Sequence, residues 1–556
     1  MPEPSHRFGR LFEHMLTHYR GLFAVLILLP VSVAYGAGIA LRRRLAFTLR
    51  RAPAQHAEKV DRVIRQIEEW KTDGARERLC TARSPWDTMS ELVPRYKLTH
   101  RKIDVGMRDI LEIDDQGRTV RVEPLVTMGQ LTRALLPLGW TLPVVPELDD
   151  LTVAGLIMGF GVETSSHKYG LFQHICESLE IVTAEGTLIR SSAAEHADLF
   201  YTVPWSHGTL GFLVAATLRI IPSRKYVRIH YQPVLGLDRL IDVFEQASRA
   251  CDTHDFVEGL VYRRDAAVIM CGRLADAAPS DAVVNPIGRW YKPWFYRHAR
   301  TFLDTGTEGI EYVPLRHYFH RHTRSYFWTM EEIIPFGNHL LFRWLLGWAL
   351  PPRIALLKYT ETDTTRRLRE RYHVIQDVLL PMRSLKRSIE YLDEHYGIYP
   401  LWLSPMSIFD NAPRLGFLHP LTTADGGRDA LYVDVGVYGS SRRANFDNRS
   451  ALSRLEAFVI EHHGYQALYA VTTMTREQFR TMFDHRAYDR LRELLPLCAR
   501  AFDEVYEKVS AQGRVSPIEM RRLQRRMSPE AVVASGAVGE AVDDPDEFSR
   551  AGIPDV

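Results

Sequence analysis

The sequence GLIMGFGVETSSHKYG, residues 155–170, carries the densest chemical signal in the chain. It places Gly155, Gly159 and Gly161 ahead of two serines and a histidine, between a helical pattern and an extended one. Glycines clustered in this way let backbone N–H groups approach a pyrophosphate closely. Their spacing does not form the GxGxxG motif of a Rossmann nucleotide site. From these residues alone, a phosphate-binding turn and a set of structural turns are equally good interpretations.

The residues around this stretch predict an α+β domain that extends from about residue 76 to residue 222. The runs ILEI (110–113) and TVRVE (119–123), separated by DDQG, have the pattern of a β-hairpin. Ahead of the domain, residues 58–74 have apolar side chains at helical spacing and end in a glycine. A second domain, residues 226–508, opens with the alternating sequence YVRIHYQPV.

An uncharged apolar run, residues 21–41, lies near the N-terminus and is followed by Arg42, Arg43 and Arg44. Its length predicts a transmembrane helix. A signal peptide fits less well, because its apolar part would be shorter and small residues would follow it. The arginines after the run outweigh the mixed charges of residues 1–20, so we expect a single-pass protein with its catalytic part in the cytosol.

The composition excludes several other classes of protein. A net charge of +2 over 556 residues argues against a dedicated nucleic-acid-binding protein. The five cysteines form no CxxC pair, so neither a disulfide framework nor a zinc site is indicated, and the catalytic part is expected in a reducing compartment. The C-terminal residues 509–556 are polar with few large apolar side chains, which predicts a disordered tail.

Long stretches of the chain match a known family almost without gaps. They include RVEPLVTMGQ (121–130), GWTLPVVPELDDLTVAGLIMGFGVETSSHKYGLFQHIC (139–176), PWSHGTLGFLVAATLRIIPSRKYV (204–227) and EYVPLRHYFHRHTRSYFW (311–328). The family that they resemble is the delta-24 sterol reductases, which are FAD-dependent oxidoreductases of the PCMH type. The resemblance covers roughly residues 50–507.

The resemblance implies an α+β fold of the vanillyl-alcohol-oxidase type, with an FAD-binding PCMH domain at residues 50–225 and a substrate or cap domain at residues 226–508. The first cofactor-binding turn corresponds to ARSPW, residues 82–86. It lacks the histidine that some PCMH oxidases bond to the flavin, so the FAD is expected to bind non-covalently. The residues implied in FAD binding are Arg83, Ser84, Gly155, Gly159, Gly161, Val162, Glu163, Thr164, Ser165, Ser166, His167, Lys168, Tyr169, Gly170, Leu171, Phe172, Gly208, Gly211 and Val214.

The family's reaction implies NADPH as the reductant and the side-chain double bond of a sterol, such as desmosterol, as the target. An isolated alkene has no carbonyl group to polarise it, so the enzyme must supply a proton donor of suitable pKa in a dry apolar pocket. The principal candidates for this catalytic donor are Glu147, His317, Tyr318 and Tyr438, with Asp149 and Tyr469 as further possibilities. The burial that would rank them cannot be read from a sequence.

Two histidine-containing segments allow other interpretations. His167 could exchange a proton near pH 7, but its position in the second glycine turn favours contact with a ligand. In the segment 316–322, His320 and His322 alternate without cysteine or carboxylate at metal spacing, so we predict no metal site. A patch that faces the flavin or the NADPH phosphate is the preferred interpretation of this segment.

Two other functions fit the same sequence. The first is a PCMH-type oxidase of sugars, aldonolactones or alcohols, because a fold does not decide a reaction. The second is a non-catalytic sterol-binding or scaffold protein with a vestigial FAD site. The absence of a flavin-linking histidine argues against the first, and the retained glycines argue against the second. For a eukaryotic source, the resemblance implies the endoplasmic reticulum membrane, and for a bacterial source the cytoplasmic membrane.

Overall fold

The computed structural model describes residues 19–38, 55–410, 415–423 and 426–526, together with Leu16. They form two antiparallel sheets with surrounding helices, preceded by an apolar helix. Most of the predicted segment 1–20, the end of the apolar run at residues 39–41 and the tail beyond residue 526 lie outside the described residues.

The first sheet lies within the predicted FAD-binding domain. Its strands, in spatial order, are Ile110–Asp114, Thr119–Val122, Phe212–Arg219, Cys176–Val182 and Leu188–Ser192. The hairpin predicted over residues 110–123 is confirmed, because the first two strands pair antiparallel. A parallel pair, Leu79–Thr81 with Arg101–Ile103, lies apart from this sheet in the strand pairing.

The helix predicted over residues 58–74 is confirmed as His56–Thr72. Its buried face consists of Val60, Val63, Ile67 and Trp70, which recur at helical spacing. The other helices of this domain are Met128–Leu135, Val153–Met158, Ser166–Tyr169 and Ala197–Thr202.

In chain order, the second sheet begins with the strand Tyr226–Leu235, which contains the alternating sequence YVRIHYQPV. Its strands, in spatial order, are Gly309–Pro314, Tyr226–Leu235, Ala266–Ala275, Phe256–Arg263, Leu401–Ser407, Leu431–Ser440, His373–Pro381 and Tyr465–Gln466. All neighbouring strands pair antiparallel. The helices of this part are Leu237–Arg249, Phe295–Thr305, Leu315–Phe319, Met330–Ile333, Leu340–Leu346, Ile354–Tyr359, Asp363–Tyr372, Leu385–His395, Asn448–Glu461 and Arg476–Met482.

The C-terminal part returns to the first domain, which the sequence did not predict. Its helices and strand are Arg486–Leu494, Cys498–Ala501, Val505–Val509, Arg514–Val515 and Pro517–Arg526. Phe502 packs edge-on against Phe212, with 5.4 Å between ring centroids. The strand Arg514–Val515 pairs with Val93–Pro94.

The prediction of a disordered tail from residue 509 is therefore wrong for residues 509–526. Val509 is fully buried, and Met520 packs with Trp86 and Val93 in a small apolar cluster. The segment has few apolar side chains, but Val515 and Met520 pack in a cluster with residues more than 400 positions earlier in the sequence. Such long-range packing leaves no local pattern in the tail itself.

The N-terminal helix Arg20–Gly38 is long and apolar enough to cross a membrane by its length and composition. One side of it is packed against the body of the protein, because Ala24, Val25, Leu28 and Leu29 are buried. The opposite side is exposed.

Candidate functional site

A cavity of about 1220 Å³ is lined by residues of both domains. The first domain contributes residues within the segments 80–84, 154–162 and 207–213. The second contributes side chains from its sheet, among them Asp377 and Tyr438. The two turns predicted to bind the cofactor, and a third turn that contains the predicted contacts Gly208 and Gly211, therefore face the same space as the cap sheet.

The lining segment 80–84, which includes the start of the first turn, is held by a buried lysine. Nζ of Lys97 donates hydrogen bonds to the backbone oxygen of Thr81 and to its Oγ1, the latter at 2.8 Å. Oγ of Ser84 accepts from the backbone N–H two residues further on, at 3.3 Å, and so caps a short helix. Arg83 and Ser84, both predicted to contact FAD, line the cavity.

The second turn brings the backbone close to the cavity because glycines occupy its tight positions. A Cβ atom on Gly159 would lie 2.6 Å from the carbonyl oxygen of Gly155, and one on Gly161 would lie 2.8 Å from Cβ of Phe172. Both distances are shorter than van der Waals contact, so only glycine fits. The predicted residues on the cavity wall here are Gly155, Gly159, Gly161 and Val162.

The third turn, residues 207–211, has left-handed backbone at Gly208 (φ +69°) and Gly211 (φ +151°). Lys508, from the C-terminal segment, donates to the carbonyl oxygens of His207 and Gly208, each at 3.3 Å. Nε2 of His207 is buried and has no hydrogen-bond partner among the described residues. Burial, together with the charges of Arg514 and Lys508, lowers the pKa of His207 to about 3. A neutral ring nitrogen without a partner indicates a site for a polar ligand.

Positive charge collects along the same wall of the cavity, on Arg83, Lys97, Lys508 and Arg514. Burial lowers the pKa of Lys97 to about 8, and the charge of Arg83 acts in the same direction. Burial also lowers the pKa of Lys508 to about 8, with a contribution from Lys97. Cations that repel one another in a partly buried site favour an anionic ligand. The diphosphate of the expected FAD carries this charge, so the residues present fit that group.

The remainder of the predicted second turn lies behind the cavity wall. The predicted FAD contacts that are not among the described lining residues are Glu163, Thr164, Ser165, Ser166, His167, Lys168, Tyr169, Gly170, Leu171, Phe172 and Val214. The two ring nitrogens of His167 lie 3.0 Å from the carbonyl oxygen of Thr164 and 3.1 Å from that of His254. The His167 ring thus joins the first domain to the cap, and direct contact of these residues with FAD stays a prediction.

A buried acidic group lies on the cap side of the cavity, in the strand His373–Pro381. Oδ1 of Asp377 accepts a hydrogen bond from the phenol of Tyr438, and Oδ2 accepts one from Tyr469 at 2.8 Å. Burial raises the pKa of Asp377 to about 6, although both phenol hydrogen bonds lower it. The carboxyl of Asp434 has no hydrogen-bond partner in the described part of the chain, and burial and the charge of Asp377 raise its pKa well above the usual range.

Glu147, another predicted proton donor, also lines the cavity. Burial raises its pKa well above the usual range, and the nearby charge of Glu163 adds to this. Both effects favour the protonated form of the Glu147 carboxyl group. Asp149, in contrast, accepts a hydrogen bond from Arg316 at 2.9 Å in a partly exposed ion pair and is not among the described lining residues.

His317 and Tyr318 are not among the described residues that line the cavity. The phenol of Tyr318 shares a hydrogen bond with Oγ1 of Thr164 at 2.9 Å, and the guanidinium of Arg321 lies 4.3 Å from its ring centroid. His317 packs against Gly288, where a Cβ atom would lie 3.0 Å from the imidazole. Both side chains therefore pack against other residues and not against the cavity. Their catalytic role stays a prediction, and no contact among the described residues supports it.

The segment 316–322 supplies the centre of a buried ion-pair network. Arg321 donates to Glu163 at 3.1 Å and to Glu258 at 3.0 Å, and all three side chains are essentially inaccessible. Glu258 also lies 2.8 Å from Nε2 of His322 and accepts from the indole of Trp402 at 2.9 Å. These contacts join the two domains. Within the described residues, no group of His, Cys, Asp and Glu side chains is arranged to hold a metal.

Comparison with known proteins decides the family. The human Delta(24)-sterol reductase is 49% identical over 502 residues, which cover 90% of this chain and 95% of the human protein. This chain belongs to the Delta(24)-sterol reductase family. The Caenorhabditis elegans Delta(24)-sterol reductase homolog is 41% identical over 524 residues, which cover 92% of this chain and 98% of the nematode protein. The Arabidopsis thaliana Delta(24)-sterol reductase is 38% identical over 532 residues, which cover 91% of this chain and 94% of the plant protein.

Residues 100–192 of this family member match the family described as "FAD binding domain". The predicted resemblance, the PCMH-type fold and FAD as the cofactor are thereby confirmed. The match includes the second turn and most of the first sheet.

Asp377, Lys97 and Lys508 line the cavity and were not among the residues predicted from the sequence. Asp377 had a detectable signal, because it is the acidic residue inside the apolar strand sequence VIQDVLLP, residues 374–381. Burying a charged side chain at such a position costs free energy unless the charge is paired or hydrogen-bonded. Lys97 and Lys508 had no comparable signal, since the sequence does not reveal that they meet at one wall.

Proposed function

We propose that this protein uses NADPH to reduce the side-chain double bond of a sterol such as desmosterol, with FAD as the intermediate carrier. The observation that carries the proposal is the single cavity in which the cofactor-binding turns and the buried carboxyl of Asp377 meet. The volume of about 1220 Å³ is at the upper end for a binding site, as expected if a cofactor and a lipid-like substrate share it.

When bound in this cavity, FAD would supply the two-electron chemistry that links a reduced nicotinamide to the alkene. The turns at residues 80–84, 154–162 and 207–211 would hold it. Lys97 and Lys508 would balance the charge of its diphosphate while they fix the backbone of the first and third turns. The first turn carries no histidine at the position of the covalent link, in keeping with a dissociable cofactor.

The proton is the more demanding part of the reaction, because an isolated alkene must accept it at carbon. We assign this step to Asp377, whose raised pKa keeps part of the population protonated near neutral pH. Tyr438 and Tyr469 orient the carboxyl group by hydrogen bonding to its two oxygens. The proton goes to the less substituted alkene carbon, and hydride is then added to the more substituted one. Glu147 is the alternative donor, because burial raises its pKa and it lines the same cavity.

The substrate would reach the enzyme from a membrane. The helix Arg20–Gly38 serves as the anchor, with the remainder of the chain on the cytosolic side. In a eukaryotic cell we expect the endoplasmic reticulum membrane, and in a bacterium the cytoplasmic membrane.

The test is a turnover assay with purified full-length protein, FAD, NADPH and desmosterol, followed by mass analysis of the extracted sterol. We expect a product that has gained two hydrogen atoms, with NADPH consumed in equal amount. NADPH oxidation that needs only oxygen or a quinone, with no change in the sterol, would instead favour the oxidase alternative.

A further inference from the structure

The segment 336–348 of the cap exposes an unusual number of large apolar side chains. It contains the helix Leu340–Leu346 and the turn that follows it. The exposed side chains are Phe336, Leu340, Leu341, Trp344, Leu345 and Trp348, with exposed fractions between 38% and 69%. A contiguous apolar surface of this kind marks a site of interaction, since it is unfavourable in water.

The first residue of this segment, Phe336, contacts the N-terminal helix, as do the nearby residues Ile333 and Arg353. The Cβ position of Gly21 is 3.1 Å from the carbonyl oxygen of Ile333 and 3.4 Å from the ring of Phe336. Further along the helix, Oγ of Ser32 accepts a hydrogen bond from the backbone N–H of Arg353 at 3.0 Å. Gly21 and Ser32 are about 16 Å apart along a helix axis. The helix therefore lies along the cap surface, and the cap segment reaches whatever membrane depth the helix reaches.

The free side of the N-terminal helix is as apolar as segment 336–348. Leu26 is 72% exposed, and Leu22, Val31 and Tyr35 are about half exposed. Two elements in contact thus present apolar side chains outward.

The substrate cavity extends to these same elements. Among its lining residues are Arg20 at the start of the N-terminal helix, Ile333 just ahead of segment 336–348, and Ile354 and Leu357 from the next cap helix. The cavity wall at this end is therefore built from elements that adjoin the exposed apolar surface.

We propose that segment 336–348 is a second membrane-contacting element, which inserts into lipid beside the N-terminal helix, and that the sterol enters the cavity between the two. The proposal rests on the proposed function for the identity of the substrate. The composition favours a bilayer over a protein partner. Trp344 stacks on Tyr291 with 5.0 Å between ring centroids, and Arg343 donates to the backbone oxygen of Tyr291 at 2.8 Å. Aromatic rings and arginines beside an apolar patch are typical of the lipid–water interface.

The test uses full-length protein in phosphatidylcholine vesicles, with a fluorophore attached to Leu345→Cys. Quenching is measured with iodide in the water and with a doxyl-labelled lipid in the bilayer. Leu26→Cys is the matched reference on the N-terminal helix, and Leu494→Cys, at 61% exposure on the first-domain side, is the aqueous control. The unsubstituted protein gives the background from the five native cysteines, three of which are buried.

We expect the label at position 345 to be quenched several-fold by the lipid quencher and hardly by iodide, as at position 26. Quenching by iodide, as at position 494, would overturn the proposal, because the segment would then lie in water. Protection from both quenchers would also overturn it, since a second copy of the chain would then cover the segment. No substrate is present, so the result does not depend on whether the protein reduces sterols.

Discussion

The phenol oxygen of Tyr469 lies 2.8 Å from Oδ2 of Asp377, and both side chains line the cavity that the cofactor-binding turns also line. Tyr438 bonds to the other oxygen of the same carboxyl group. A carboxyl held at both oxygens, buried, and with a pKa of about 6 has the properties of a general acid. This arrangement underlies the predictions about chemistry.

Asp377→Asn is expected to slow sterol reduction roughly a hundred- to ten-thousandfold, the usual contribution of a positioned acid. FAD content and reduction of the flavin by NADPH should remain unchanged, because the carboxyl group acts only on the sterol. Asp393→Asn is the matched control, since Asp393 also accepts from a tyrosine, Tyr399, at 2.8 Å, but is not among the described lining residues. Rapid-mixing absorbance separates the two half-reactions. Equal sterol rates in the two variants would exclude Asp377 and direct attention to Glu147.

The rate of the sterol half-reaction should fall as the pH rises through about 6. The pKa of Asp377 is raised to about 6, so the acid is mostly protonated below that pH. Its protonated fraction decreases roughly tenfold for each further pH unit. The profile is measured between pH 5 and pH 8 at saturating sterol, with flavin reduction followed separately. A rate that increases with pH would mean that the essential group is a base.

Lys508→Met should weaken FAD binding roughly ten- to a hundredfold, because a charge-assisted hydrogen bond to a buried group is worth about 1.5–3 kcal/mol. The wild-type affinity should also decline as the pH rises through about 8, where Lys97 and Lys508 lose their protons. Equilibrium titration of apoprotein with FAD, followed by flavin fluorescence, measures both effects. The control is Lys386→Met, which removes an exposed ion pair with Asp238. If Lys508→Met leaves the affinity for FAD unchanged, the diphosphate does not bind beside Lys508.

Arg321→Met should destabilise the folded protein by about 3–5 kcal/mol, because it leaves Glu163 and Glu258 buried without their cation. The exposed pair Arg263–Asp265 provides the control variant Arg263→Met, expected to change stability by no more than about 0.5 kcal/mol. Thermal unfolding midpoints of the two variants in detergent measure the difference. Similar midpoints would show that the network contributes little to holding the domains together.

Much of the fold could be predicted from sequence because its signals are local. The helix His56–Thr72 repeats its apolar residues every third or fourth position, and the hairpin at residues 110–123 alternates about a polar turn. The alternating sequence that begins at Tyr226 likewise indicates the strand Tyr226–Leu235, and the family resemblance supplied the rest of the architecture.

The parts that escaped prediction depend on contacts between distant residues. The ordering of residues 509–526 depends on Trp86 and Val93, and the pKa of Asp377 depends on its burial and on two tyrosines from other elements. The histidine-rich segment 316–322 illustrates the same limit. Its residue types fit a ligand site as well as a buried ion-pair network. Only the positions of Glu163 and Glu258 show that Arg321 forms ion pairs in the interior.

One cavity is expected to couple a reduced flavin to the proton donor that a sterol double bond needs. The decisive experiment is anaerobic stopped-flow absorbance at the flavin band, with NADPH mixed first into solubilised protein and desmosterol mixed second. We expect NADPH to bleach the band and desmosterol to restore it. A bleached band that desmosterol leaves unchanged, and that only oxygen or a quinone restores, would show that the cavity does not reduce sterols.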